Sequence, residues 1–135
     1  MKLENQVCSL ELAKKLKELG AKQESAFYWG ETSGLITEEE YLDFEDFASS
    51  IGKPQGTRVE RHFPAYTATE LGEMLPLHVE IKGSLLWFET RSNHKKNWVV
   101  AYCDDDDCVA EHSETEADAR ALMLIYLLEN NLITL

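Results

Sequence analysis

The sequence predicts an α+β fold: an antiparallel sheet of about four or five strands packed against N-terminal and C-terminal helices. Three observations carry this. Residues 113–135 open with SETEADAR and continue as ALMLIYLL, a capped helix whose second half has no polar stripe and so needs cover on every side. Residues 77–112 switch to an apolar period of two broken by short turns, the pattern of a meander. Residues 10–19 place Leu12, Leu16 and Leu19 on one helical face, away from most of the lysines.

Element by element, Ser9 caps the first helix and Gly20 stops it at a C′ position. Residues 25–29, short and aromatic, are expected as a strand ended by Gly30. Residues 31–56 look like an acidic helical insertion. Thr37 with Glu40 forms a capping box, and Tyr41, Phe44, Phe47 and Ile51 follow at near-helical spacing. Carboxylates crowd the start of that helix, where its dipole favours them. Residues 52–56, rich in Gly and Pro, are a loop, and 57–63 are compatible with extended chain. Thr67 with Glu70 makes a second capping box, Tyr66 is placed to staple onto Leu71, and Pro76 ends that short helix near Met74.

Four strands follow, over 78–82, 85–91, 97–103 and 108–112, joined at 83–84, 92–96 and 104–107. In the third, Trp98, Val100 and Tyr102 alternate with Val99, Ala101 and Cys103, so both sheet faces carry apolar groups and the second face needs its own cover. The last helix has two candidate caps, Ser113 with Glu116 or Thr115 with Asp118, and Asn130 and Asn131 are its stop residues.

The chain has 135 residues, 44% of them apolar and 28% charged, which fits one soluble domain. The longest apolar run, 121–128, is far short of the roughly 20 residues of a bilayer span, and 1–20 do not read as a signal peptide. Thirteen Lys plus Arg against 25 Asp plus Glu give a net charge of −12, which argues against binding nucleic acid. Cys8, Cys103 and Cys108 are an odd set that fits reduced thiols in a cytoplasmic protein. No membrane partner and no cofactor are expected.

The most site-like segment is CDDDDC, 103–108. Asp104, Asp105, Asp106 and Asp107, with His112 beyond, are the candidate metal ligands. The alternating ligands, glycine and distant glutamate of an EF-hand loop are missing, and Cys103, Cys108 and His112 match structural-zinc spacing poorly. As a hairpin tip, the segment sets its two cysteines facing each other, within reach of a bridge under oxidising conditions. The preceding turn, 92–97, is basic, so opposite sheet ends carry opposite charge. No nucleophile motif, phosphate loop or zinc-protease helix accompanies His62, His78, His94 or His112. Trp29, Trp87 and Trp98 are either core residues or the lining of a pocket.

The segments PAYTATELGEMLP (64–76) and ETEADARALMLIYLL (114–128), continued by Glu129, Asn130 and Asn131, and the opening VCSLELAKKLKELG (7–20) resemble a family of small proteins of uncharacterised function from Bacteroides-type gut bacteria and their phages or prophages. The resemblance implies a cytoplasmic, mobile-element setting and transfers no catalytic residue. The function expected is therefore a non-enzymatic interaction or accessory module with a protein partner or a second copy of itself. The alternative is a metal-dependent or small-ligand-binding protein or enzyme built on the turn 104–107.

Overall fold

The computed structural model describes residues 2–50, 60–92 and 97–135. After a 3₁₀ turn at Leu3–Asn5, the order is α1 (Leu10–Glu18), β1 (Phe27–Gly30), β2 (Gly34–Thr37), α2 (Glu38–Ser50), β3 (His62–Pro64), α3 (Ala68–Met74), β4 (His78–Ile81), β5 (Ser84–Ser92), β6 (Trp98–Cys103), β7 (Cys108–Ser113) and α4 (Glu116–Glu129). The α+β class holds. The strands form two antiparallel sheets, however, one of three strands in the order β2-β1-β3 and one of four in the order β4-β5-β6-β7. The extra strand is β2, which a turn with Gly34 at φ 77° folds back onto β1. The segment expected as an insertion thus supplies β2 and α2, and α2 rests on the small sheet by stacking Tyr41 on Tyr28 at 3.9 Å between centroids. The expected loop at 52–56 and the basic residues His94, Lys95 and Lys96 lie outside the described residues.

Local chemistry sets the helix ends. Ser9 Oγ accepts from the amide of Leu12, and Gly20 adopts φ 87° beyond α1. Thr37 and Glu40 exchange capping bonds at the start of α2, as Thr67 and Glu70 do for α3. Leu75, before Pro76, is extended at ψ 127° and ends α3. Of the two registers open to α4, the chain uses Thr115, whose hydroxyl accepts from Asp118 N at 3.2 Å. The Asp118 carboxylate does not return the bond; it accepts from Ser9 N at 2.8 Å and pins the start of α1 to α4. The β4–β5 turn centres on Lys82 and Gly83, both at positive φ, one residue earlier than the expected Gly83–Ser84, because a two-residue hairpin of this twist needs φ > 0 at both central positions.

Helix α4 is the centre of the core. Ala117, Ala119, Ala121, Met123, Leu124 and Leu127 are buried, β6 and β7 cover one side, and α3 and α1 cover others. Where it meets α3, the Arg120 guanidinium lies over Gly72 in the space that a Cβ would take. That guanidinium donates to Ala68 O at 3.0 Å and pairs with Glu116 at 2.8 Å. The N-terminal helix packs on α4 and on β3 of the small sheet, so the two helices share the sheets between them. The segments 7–20, 64–76 and 114–128 meet here: Cys8 N donates to Tyr66 O at 2.8 Å, and Val7 bridges to Thr67.

Candidate functional site

With α4 on one side of the four-stranded sheet, period two sends alternate side chains to the other. Cross-strand register arranges that outer face in rows. His78, Trp87, Cys103 and Cys108 form one row, Glu89, Ala101 and Ala110 the next, and Arg91, Val99 and His112 a third, with Glu80 and Leu85 beyond the first. Trp87 is 53% exposed and Leu85 46% exposed. The His78 ring meets Trp87 edge-on at 5.2 Å, and Arg91 pairs with Glu89 at 3.7 Å. The face therefore exposes apolar groups at one end, Trp87 and Leu85, and carries both signs of charge, on a chain of net charge −12. The other exposed apolar residues in one element are Leu42, Phe44 and Phe47 of α2, and they stand among carboxylates, with three in the first turn alone.

One edge of the face ends in the β6–β7 hairpin. Cys103 and Cys108 are register partners bonded as a disulfide, with 4.2 Å between Cα atoms. The tip is closed by Asp104 N donating to Asp107 O at 2.9 Å, while the Asp104 carboxylate accepts from the amides of Asp106 and Asp107 at 2.8 and 2.6 Å. These amide bonds hold the Asp104 carboxyl below the usual carboxylate range. Asp104 is thus the turn's own cap, and Asp105, Asp106 and Asp107 are exposed. His112 lies four residues up β7 from Cys108, about 13 Å away at the usual strand rise, so the fold separates it from the acidic turn. Among the described residues, no group of three or more His, Cys, Asp or Glu side chains is arranged to hold a metal ion.

The remaining candidates scatter. Trp29 and Trp98 pack against the core, Trp29 donating to Cys8 O at 2.8 Å, while Trp87 stands on the outer face, so the three do not share a pocket. Trp98 borders a groove of about 350 Å³ beside Thr67 and Glu116. Cys8 is fully buried, and that burial pushes its thiol up to about 12, which leaves it unreactive. The exposure of the Trp87–Leu85 pair does not follow from the sequence alone, because the strand's pattern does not say which of its faces is covered. A partial signal was present, since 85–88 reads Leu-Leu-Trp-Phe and a strand apolar on both parities must expose one of them.

The small sheet holds a second carboxylate of interest. Glu60 accepts from Thr32 N at 2.5 Å, Ser33 N at 2.6 Å and Thr32 Oγ1 at 3.0 Å, closing the β1–β2 turn. Burial raises its carboxyl, but the amides of Ser33 and Thr32 with their hydroxyls outweigh that and bring it down to about 2. A depressed folded value means that stability is fully present above the ordinary value of 4.5 and is lost as pH falls toward 2. The Glu60→Gln variant is accordingly expected to flatten the acid limb of stability between those pH values, read as the urea midpoint against pH.

No protein-family model, curated protein or solved structure matches the chain.

Proposed function

We propose that this protein is a non-enzymatic interaction module that works as a homodimer through the outer face of β4–β7. One observation carries the reading: a large aromatic and a leucine stand exposed side by side on an open sheet face that carries Arg91 as well as Glu80 and Glu89. Sheet faces pack about 10 Å apart with near-aligned strands, and a two-fold interface must be complementary to itself. A two-fold axis lying in the face and across its strands sets the row with Arg91 and His112 of one copy over the row with Glu80 and Leu85 of the other. The same operation sets each Trp87 over the row that carries Glu89 of the other copy, with Ala101 and Ala110 further along it. The carboxylate-rich surface of α2 would instead repel a copy of itself. The likeness of 7–20, 64–76 and 114–128 to proteins of gut bacteria and their phages supports a cytoplasmic, phage or prophage accessory setting for this module. Among the described residues no helix is long and apolar enough to cross a membrane.

Sedimentation velocity over a concentration series tests the reading. The expected species has twice the 15.4 kDa chain mass, and Trp87→Glu is expected to weaken the dimer by about 30-fold or more, the effect of losing one interface anchor. Leu42→Glu on α2 is expected to leave it intact. A strict monomer at high concentration, or a dimer indifferent to Trp87→Glu, overturns the proposal.

A further inference from the structure

We infer that Cys103–Cys108 is a thiol–disulfide exchange site, opened at Cys108 and selective for neutral or cationic thiols over anionic ones. The cystine shares its row with Trp87 on the face the proposed homodimer uses, so the exchange is a property of the undocked face and is tested on the monomer. A disulfide that serves stability closes a long loop or ties distant elements. This one joins residues five apart in sequence, in a hairpin already closed by backbone pairing and by the Asp104 carboxylate. The dithiol therefore keeps its register after opening. Access is unequal along the bond: Cys108 is exposed and Cys103 half-buried, while Cys8, the third cysteine, is sealed in the core.

Charge sets the selectivity. Between the two sulfurs' residues lie Asp104, Asp105, Asp106 and Asp107, against which the same end of the sheet offers Lys82 in the neighbouring turn and His78 in the cystine's own row. An incoming thiolate must cross that negative field, which slows an anion and draws a cation by factors of about 10 or more at low ionic strength. In the first step the thiolate sulfur bonds to Cys108 Sγ, the Sγ–Sγ bond breaks, and its electron pair leaves on Cys103 Sγ, which takes a proton from water. A second thiolate then attacks the mixed disulfide at the external sulfur and releases Cys108 as a thiolate. Two external thiols are oxidised to one disulfide, and the protein cystine is reduced to two thiols. In a reducing compartment the pair rests open, and an oxidising one closes it.

The test uses the folded full-length protein, with cysteamine and 2-mercaptoethanesulfonate compared at equal thiolate concentration and native alkylation read by mass. The expected product carries two alkyl groups, with the far-ultraviolet circular dichroism unchanged. Cysteamine is expected to react at least about 10-fold faster at low salt, and the ratio is expected to fall toward one near 1 M salt. Asp105→Asn/Asp106→Asn/Asp107→Asn, which spares the turn bonds of Asp104, is expected to shrink the low-salt ratio in the same way. Equal low-salt rates overturn the selectivity. Reduction only after denaturation, or loss of strand signal on reduction, overturns the exchange site itself. The same rates measured over a protein-concentration series keep the result separate from the homodimer: exchange at concentrations where sedimentation shows only monomer supports the site whether or not a dimer forms, and no exchange by the monomer overturns it.

Discussion

Leu124→Ala is expected to destabilise the protein by about 3 kcal/mol, the usual cost of a buried leucine truncated in a core that cannot collapse around the gap. Leu124 has no solvent exposure and lies on the helix enclosed by β6, β7, α3 and α1, so no single neighbour can move in to fill the space. Urea unfolding followed by circular dichroism measures the cost as a shifted midpoint at unchanged slope. For a chain of this size the melting temperature should drop by about 10 °C. The half-buried Leu122, two residues earlier, provides the contrast and should lose markedly less as alanine. A cost below about 1 kcal/mol at Leu124 would mean that α4 is not the packing centre described above.

Glu70→Ala is the second large effect, expected at about 2–3 kcal/mol. Its carboxylate accepts from Thr67 N at 2.8 Å, completing the α3 cap, and from Ser25 Oγ at 2.7 Å and Ala26 N at 3.1 Å. One side chain thus fixes a helix start and the approach to β1. Losing a cap costs about 1 kcal/mol, and hydrogen bonds to a charged group add more, especially where a partner is left buried. Ser25, at 3% exposure, is the buried partner, and it keeps Ala65 O at 3.1 Å as a second acceptor, which holds the loss to this range. Glu70→Gln, which keeps an acceptor oxygen in place, should recover part of the loss in the same urea titration. Glu70→Gln as stable as the unsubstituted protein would remove the charge-assisted part of the argument.

Much of this architecture was legible in the residues because it is local. Ser9, Thr37 with Glu40 and Thr67 with Glu70 cap helices through partners three positions away, and Pro76 acts on the residue beside it. Strands β4 to β7 were found because period two recurs between clear turns. Strand β2, Gly34–Thr37, was missed, since its two apolar residues, Leu35 and Ile36, are adjacent rather than alternating and the run passes directly into a helix cap. The division into two sheets was equally hidden: a pattern identifies strands, but the partner at each edge is chosen by tertiary contact. The same limit explains Glu60 and Asp118, whose main partners lie 27–28 and 109 positions away. At the candidate site, the facing cysteines were legible from their spacing, whereas the structural duty of Asp104 depends on turn geometry. Ser113 and Thr115 were equal as caps on paper. The chain uses Thr115, and in that register Asp118, three residues on, reaches Ser9.

The bond between Ser9 and Asp118 also sets a timetable. Translation at 5–20 residues per second delivers the second partner about 5–20 s after the first. Until then α1 has left the ribosome with Leu16 uncovered and no helix to dock on. The nascent protein must therefore carry its opening segment undocked until α4 has been made, and its productive folding step waits for that helix.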